Sequence, residues 1–256
     1  MPQNITPASE LIHESWQNYR QHWLTYIEFG VWYLVLAVAT WGVDVAVRTW
    51  ADSRLQVAGF TLLAYIPIIL LGLYISMVFI RVIWAHLSDV EPNYSQSLSD
   101  SKKRFWSLVG ATLVVLAVIF SGTLLLIVPG IILYVRYRFF TYSIVIDGKK
   151  AMESLSESAC LSKGKFWSVL WRATVITSFF LLAGSLLTSI LYALVGTALG
   201  DTGKYFGELN PMFTLNGGDL LVTSLLPQLS LLVIFPLLMG ADLALWDDLK
   251  KRSKQS

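Results

Sequence analysis

Long apolar runs, each close to the thickness of a lipid bilayer, constrain this chain more than any other feature of its sequence. A helix needs about 20 predominantly apolar residues to cross the hydrocarbon core of a membrane. Apolar residues make up 55% of the 256-residue chain and charged residues only 14%, whereas a typical soluble domain carries about 25% charged residues. The composition predicts an all-α integral membrane protein. It argues against a soluble enzyme and a disordered chain, and the single Cys160 excludes a disulfide scaffold.

Six apolar runs predict six transmembrane helices within a single membrane domain over residues 1–256, at about residues 24–47, 57–85, 106–128, 131–146, 166–199 and 220–246. Lysine and arginine are spread unevenly over the segments that flank them. The N-terminal segment, the loops at 86–105 and 147–165 and the C-terminal tail hold twelve, whereas the alternate loops hold three. Because basic residues are enriched on the cytoplasmic side, we expect both termini in the cytoplasm.

A shorter amphipathic helix is predicted before the first run. Its apolar residues recur every three or four positions, which places them on one helical face: Ile5, Ala8, Ile12, Trp16, Tyr19 and Trp23. Such a helix either lies along the inner membrane surface or packs on the cytoplasmic face of the protein itself. The sequence leaves both arrangements open.

The cytoplasmic loops contain an internal repeat. Residues 95–107 (SQSLSDSKKRFWS) and 156–168 (SESACLSKGKFWS) align without gaps and share seven identities in thirteen positions. Each copy has a polar helix, a basic cluster, a Phe-Trp pair and then an apolar run, and the N-terminal segment has a similar outline. This pattern predicts three units of a surface helix plus two spans, at roughly 1–90, 91–148 and 149–256. The alternative is that any helix entering a membrane favours basic and aromatic residues at its edge.

The stretch 127–167 reads I-V-P-G-I-I-L-Y-V-R, then I-V-I-D-G-K-K, then S-L-S-E-S-A-C-L-S-K-G-K-F-W. It resembles the signature of the glycerophosphodiester phosphodiesterase membrane-domain family, which includes YciC-like bacterial inner-membrane proteins. Ser154 stands where that family usually has alanine. The resemblance implies a bacterial inner-membrane protein of a functionally poorly characterised family, and it rests on these positions: Pro129, Gly130, Arg136, Asp147, Gly148, Leu155, Ser158, Leu161, Gly164 and Trp167.

Catalytic and metal-binding signatures are missing from the sequence. His13, His22 and His86 form no ligand pattern, and no paired cysteines, H-E-x-x-H, G-x-S-x-G or phosphate-binding glycine loop occurs. We therefore expect no catalytic residues, no cofactor and no metal. The net charge of +2 is too small to indicate nucleic acid as a partner.

Charged residues inside the predicted spans are the candidate functional residues, because an ionisable group at the centre of a bilayer costs about 2.5–3.5 kcal/mol on insertion scales. Four lie one to two turns from the cytoplasmic ends and predict a belt of ion pairs, in which Arg172 pairs with Glu28 in preference to Asp242: Glu28, Arg81, Arg172 and Asp242. Arg136 and Arg138 lie deeper and, two residues apart, face opposite sides of a helix. Either these charges only satisfy one another, or they line a polar cleft that binds a phospholipid head group through Arg136, Arg172 or Arg138.

These patterns favour a non-enzymatic accessory or scaffold protein of the bacterial inner membrane, with phospholipids and other envelope proteins as partners. Each basic residue near an anionic surface contributes about 1 kcal/mol to such contact. A transporter or channel for a lipid or small amphiphile is the alternative, although the sequence shows no matched pair of broken helices of the kind that form midplane sites. A lipid-modifying enzyme is third, because no nucleophile or metal constellation is present.

Overall fold

The computed structural model describes residues 5–50, 54–200 and 217–254. Within these ranges the backbone is helical and no strand is found. The eight helices of the described residues are α1 (Ala8–Trp50), α2 (Arg54–Leu87), α3 (Tyr94–Leu125), α4 (Ile127–Tyr137), α5 (Phe140–Val145), α6 (Ala151–Leu161), α7 (Phe166–Ala198) and α8 (Gly217–Ser253).

Five of these helices are long and apolar enough to cross a membrane: α1, α2, α3, α7 and α8. The predicted all-α class is confirmed, and the five long apolar helices are compatible with the predicted membrane protein. The predicted fourth span, 131–146, takes a different form. Two short helices, α4 and α5, replace the single expected helix and are separated by Arg138 and Phe139.

The described chain divides into two compact units. One consists of residues 5–22, 73–178 and 237–254, and the other of residues 23–72 and 179–236. The first unit therefore contains α3 to α6 entirely, together with the predicted cytoplasmic ends of the long helices. The second unit contains the opposite ends of those long helices.

Polar side chains link helices inside the second unit. The hydroxyl of Tyr65 on α2 donates to the carboxylate of Asp44 on α1 over 2.9 Å. The hydroxyls of Thr188 on α7 and Ser230 on α8 are 2.7 Å apart. Hydrogen bonds of this kind hold transmembrane helices together where lipid offers no hydrophobic driving force between them.

In the first unit, α3 and α4 form a tight hairpin linked by the single extended residue Leu126. A methyl group at Gly130 would lie 2.2 Å from Thr123 Oγ1, and one at Gly122 would lie 2.6 Å from Leu133 Cδ1. Only glycine permits this close approach of the two helices. The turn itself is apolar and faces outward, with at least 65% exposure at Leu124, Leu126, Ile127 and Val128.

The two copies of the repeated segment have buried serines at matching positions, but only the first copy forms one uninterrupted helix with the apolar segment that follows it. Ser97 and Ser101 on α3 are buried, as are their counterparts Ser158 on α6 and Ser162 directly after it. The first copy runs into its apolar segment as one helix, whereas the second is interrupted between α6 and α7. Gly164 lies in that interruption with φ +73°, and its counterpart in α3 is Lys103. A left-handed residue ends a helix, which accounts for the interruption in the second copy.

The N-terminal helix packs on the protein through a face that differs from the predicted apolar face. Leu11 and Ser15 are buried, and the Ser15 hydroxyl donates to the carbonyl of Leu237 on α8 over 2.6 Å. Trp16 and Trp23, on the predicted face, are each close to half exposed. The helix continues through a kink at His22, where φ is −121° and ψ is 24°.

Candidate functional site at a broken helix

The break between α4 and α5 is stabilised by a serine of another helix. The backbone N–H of Phe139 donates to Ser158 Oγ over 3.1 Å, and the Ser158 hydroxyl donates to the carbonyl of Arg136 over 2.9 Å. Interrupting a helix leaves backbone groups without partners, and burying such groups unpaired is costly. Ser158, fully buried on α6, thus replaces the hydrogen bonds that the break removes.

Arg138 lies in this break and forms a buried ion pair with Asp242 on α8. Its Nη2 is 2.8 Å from each carboxylate oxygen and 3.0 Å from Thr177 Oγ1 on α7, and Nη1 bonds to the hydroxyl of Tyr134. The side chains of Arg138 and Asp242 are only 8% and 12% exposed. Tyr142 adds a hydrogen bond to Asp242. We call these five residues the ion-pair cluster.

The ion-pair cluster lies almost three helical turns along α7 from the exposed Trp167. Thr177 is ten residues beyond Trp167 along α7, which corresponds to about 15 Å at 1.5 Å per residue. Tyr137, next to Arg138, lines a cavity together with Val114 and Val118 of α3, which lie eight and twelve residues beyond Trp106 and hence about 12–18 Å from it along the helix.

A second group of charges joins the segment after α5 to α6 and α8. Asp147 forms an ion pair with Lys250, whose ammonium lies 4.5 Å from the centroid of the Trp246 ring. Lys149 forms an ion pair with Glu157 over 2.8 Å. Partial burial alone would raise the pKa of Glu157, but the hydrogen bond and charge of Lys149 outweigh it, so that this pKa lies below its ordinary value.

Gly148, in the Asp-Gly pair of the predicted signature, is required both for its backbone and for its lack of a side chain. Its φ is +74°, in the left-handed region that favours glycine. A methyl group there would lie 1.5 Å from Arg104 Nη1. The guanidinium of Arg104 therefore lies directly against the Gly148 backbone, and its Nη1 also donates to the carbonyl of Ile144 over 3.4 Å.

Arg172 contacts backbone carbonyls instead of the predicted carboxylates. It donates to the carbonyls of Thr6 over 2.7 Å, Ile5 over 2.6 Å and Ser168 over 3.1 Å. The sequence favoured Glu28 over Asp242 as the partner of Arg172. The structure pairs Asp242 with Arg138 and gives Arg172 no ion pair with Glu28 or any other of the described residues. Arg172 instead fastens the segment before α1, whose Thr6 N–H also donates to the carboxylate of Asp248 over 3.1 Å.

The other predicted site residues are not members of the ion-pair cluster. Arg81 lies 3.4 Å from Asp100, at the polar start of α3. Glu28 is exposed and belongs to the second unit. Arg136 is exposed, and its side chain has no ion pair or hydrogen bond with the described residues. Of the six charged candidates, the structure brings together only Arg138 and Asp242.

The rings of His22 and His86 stack with centroids 3.9 Å apart and planes 5° apart. His13 lies elsewhere, with a ring nitrogen 2.8 Å from the side-chain nitrogen of Gln17. Among the residues that the structure describes, no three His, Cys, Asp or Glu side chains are grouped so as to hold a metal ion.

The sequence analysis missed several members of the candidate site, among them Tyr134, Tyr142, Thr177 and Arg104, and it noticed Ser158 only as a matched position. Thr177 and Arg104 carry no pattern that marks them, since a lone threonine in a span and one cation in a basic loop are common. Ser158 was visible as a shared position of the repeat and of the family signature, but its role at the break depends on a contact between separate helices. Asp44 in the second unit was also missed.

A family model described as a domain of unknown function (DUF7847) matches residues 60–246. No curated protein and no solved structure matches the chain. The resemblance to the glycerophosphodiester phosphodiesterase membrane domain is not part of these findings and stays a prediction.

Proposed function

We propose that this chain, which belongs to the family described as a domain of unknown function (DUF7847), is a non-enzymatic multi-pass membrane protein that contacts phospholipid. In this proposal it is an accessory or scaffold protein of the bacterial inner membrane, and other envelope proteins join phospholipids as its partners.

The observation that carries the proposal is a pair of equivalent aromatic and basic anchors in the first unit. Trp106 and Trp167 are 72% and 77% exposed. Each is held edge-on by the preceding phenylalanine, with ring centroids 5.4 and 5.3 Å apart. Lys102 and Lys163, four residues earlier in each copy, are exposed as well. Exposed tryptophan beside exposed lysine is typical of a membrane–water interface that carries anionic lipid. We call these four residues the interfacial anchors.

The contacts of the charged residues within the predicted spans also support a scaffold role. Arg138 pairs with Asp242, and Arg172 bonds to backbone carbonyls. Groups engaged in this way stabilise the packing of helices and are not available to a substrate without being released.

In the same proposal the chain crosses the membrane six times with both termini in the cytoplasm. Helices α4 and α5 together cover Ile127 to Val145, about 28 Å at 1.5 Å per residue, which is enough for the sixth crossing. The matched burial of the two copies supports the repeat. Reporter fusions at Asn93, Glu153 and the C-terminus should read as cytoplasmic. Fusions at Asp52 and Gly207, which lie outside the described residues, should read as external.

Lipid contact is tested by native mass spectrometry of the protein released from membranes that contain phosphatidylglycerol. Replacing the interfacial anchors with Trp106→Ala, Trp167→Ala, Lys102→Gln and Lys163→Gln should reduce the retained anionic lipid severalfold. Trp32→Ala, at an exposed tryptophan within an apolar stretch of α1, is the matched control and should leave lipid retention unchanged. Unchanged retention in the fourfold variant would contradict the proposal.

The break between α4 and α5 favours the alternative, a transporter of a lipid or small amphiphile, because interrupted helices near the bilayer centre form many transport sites. The two functions differ in a reconstituted vesicle that contains a fluorescent phospholipid. A scaffold leaves the inner-leaflet lipid protected from a membrane-impermeant reductant. A lipid transporter exposes it, and complete bleaching that depends on Asp242 would establish this alternative.

A further inference from the structure

Two arginines of the first unit, Arg81 on α2 and Arg104 on α3, lie near one carboxylate. Arg81 Nη1 is 3.4 Å from the carboxylate of Asp100, and Lys103 Nζ is 3.5 Å from it. Asp100 and Arg104 are four positions apart and therefore share one face of α3. Arg104 is also close enough to Arg81 for their positive charges to repel each other. A single acid thus has three cations around it.

The observed contacts use few of the donors of these two guanidinium groups. Charge-assisted hydrogen bonds from nitrogen to oxygen are normally about 2.7–2.9 Å long, and the ion-pair cluster meets this value with 2.8 Å. The Arg81–Asp100 contact and the bond from Arg104 to the carbonyl of Ile144 are both 3.4 Å. Each guanidinium has five N–H groups. Both arginines are partly exposed, so that their remaining donors are accessible to a ligand.

Two buried polar atoms at the same place have no partner in the described part of the chain. They are Arg81 Nε and the hydroxyl of Ser101, a fully buried residue. Buried polar groups without a hydrogen bond are uncommon in folded proteins. Ser101 lies three positions before Arg104 and hence beside it on α3. These atoms favour a ligand that accepts hydrogen bonds.

The acids on the other side of Arg104 already have partners. Arg104 lies against the backbone of Gly148, in the segment that joins α5 to α6. The acids of that segment and of α6 are each paired with a lysine: Asp147 with Lys250 and Glu157 with Lys149. Arg104 itself has no ion pair with the described residues. The unbalanced charge around the two arginines is therefore positive, which favours an anion.

We propose that Arg81 and Arg104 together bind one phosphate group, which belongs either to the head group of an anionic phospholipid or to a free phosphate ion. A planar guanidinium donates two parallel hydrogen bonds to phosphate oxygens, whereas an ammonium acts as a point charge. Arg104 is two residues before the exposed Trp106, about 3 Å along α3. In the proposed topology this is the level of the lipid head groups. For a lipid phosphate, the inference rests on the proposed function and names the residues that hold the head group.

The site is tested by the reactivity of Arg104 toward phenylglyoxal, a reagent that modifies accessible guanidinium groups. The protein is reconstituted in phosphate-free bilayers of digalactosyldiacylglycerol, and the modified peptides are quantified by mass spectrometry. One arm adds phosphatidylglycerol to the bilayer, and the other adds inorganic phosphate to the buffer. Modification of Arg104 should fall severalfold in at least one arm. Arg20, exposed on α1, is the control within the same molecule and should react equally in all three conditions.

Two substitutions test whether both arginines are needed. Arg81→Lys keeps the positive charge but loses the planar group of donors, and it should remove most of the protection of Arg104. Lys103→Gln removes a whole charge from a side chain that is 70% exposed, yet it should leave the protection unchanged. If Arg81→Lys does not accumulate in membranes, the modification of Arg81 in the natural protein takes its place and should fall together with that of Arg104.

Protection by phosphatidylglycerol alone identifies a lipid head group as the ligand, and protection by inorganic phosphate identifies the free ion. Three results would overturn the inference: equal reactivity of Arg104 in all three conditions, equal protection of Arg20, or full protection of Arg104 in Arg81→Lys. Failure of this site alone leaves anionic lipid retained through the interfacial anchors. Failure of the proposed function removes that retention, whereas protection by inorganic phosphate does not depend on it, so that the two failures are distinguishable.

Discussion

Ser158 accepts a hydrogen bond from the backbone N–H of Phe139, 3.1 Å away, across the break between α4 and α5. The same hydroxyl donates to the carbonyl of Arg136 on the other side of the break. One side chain of α6 thus holds both ends of an interrupted helix, and the position of Arg138 between them depends on it.

Ser158→Ala should destabilise the protein by about 1–3 kcal/mol, because it leaves a buried N–H and a buried carbonyl without partners. Ser154→Ala is the matched control. Ser154 is equally buried on α6, but its hydroxyl donates only to the carbonyl of Ala151 in its own helix, a bond that contributes little. Thermal unfolding in detergent compares the two variants. Equal melting temperatures would show that the break does not need Ser158.

The Arg138–Asp242 pair should show strong coupling in a double-mutant cycle. Arg138→Leu strands a buried carboxylate and should cost about 3–5 kcal/mol, whereas the double variant Arg138→Leu with Asp242→Leu should recover much of that loss. The more exposed pair of Arg81 and Asp100 is the reference, for which we expect coupling of at most about 1 kcal/mol. Additive effects of the two changes at Arg138 and Asp242 would contradict a buried pair.

Arg172→Leu should loosen the N-terminal segment, because it removes the donors to the carbonyls of Ile5 and Thr6. Hydrogen bonds to charged groups contribute about 1.5–3 kcal/mol each. Faster deuterium uptake over residues 5–12, with unchanged uptake in α3, is the expected signature. Glu28→Gln should not restore protection. Rescue by Glu28→Gln would favour the carboxylate pairing that the sequence suggested.

Two glycines with the same backbone conformation should respond differently to alanine. Gly148 and Gly164 have φ of +74° and +73°, so that each alanine carries a backbone cost of about 1–2 kcal/mol. Only at Gly148 does the new methyl group also meet the guanidinium of Arg104, whereas nothing lies within 4 Å at Gly164. Gly148→Ala should therefore lower the melting temperature more than Gly164→Ala. Adding Arg104→Ala should remove the steric part of that difference.

Acid should weaken the contact between α6 and the segment before it. Glu157 has a pKa below its ordinary value of 4.5 in the folded protein, so its carboxylate contributes stability above pH 4.5. That contribution is lost as the pH falls below 4.5 and through the folded pKa. Glu157→Gln should reduce the dependence of the melting temperature on pH in this range. Glu91→Gln, at an exposed residue before α3, should leave it unchanged.

The apolar runs predicted the long helices well because a membrane span is defined by length and composition alone. The fifth run, expected at 166–199, is found as α7, Phe166–Ala198. The break at Arg138 and Phe139 could not be predicted in this way, since it contains neither proline nor glycine and depends on a serine nineteen residues away. The interruption between α6 and α7, in contrast, has a cause that is visible in the sequence. Gly164 is present in the second copy of the repeat, where the helix is interrupted, and Lys103 takes its place in the first copy, where the helix continues.

For the candidate site, charge inside a span was a useful signal, but it did not identify partners. Arg138 and Asp242 were both recognised from their depth, yet their pairing depends on how α8 packs beside the break. Arg172 donates its hydrogen bonds to backbone carbonyls. Every residue has such a carbonyl, so the sequence does not indicate which ones Arg172 contacts. The sequence therefore predicts that a charged residue within a span has polar partners, whereas the identity of those partners depends on how the helices pack in the folded protein.

In the proposed six-span topology, the apolar turn between α3 and α4 also determines which residues have to cross the bilayer while the protein is being made. From Phe105 to Val135 the chain carries no charged side chain, and the exposed residues at the turn are all apolar: Leu124, Leu126, Ile127 and Val128. An ionised loop would have to pass through the hydrocarbon core at a cost of about 2.5–3.5 kcal/mol per charge. This hairpin has no such loop, so that α3 and α4, already joined through Gly122 and Gly130, can enter from one side as a single folded piece.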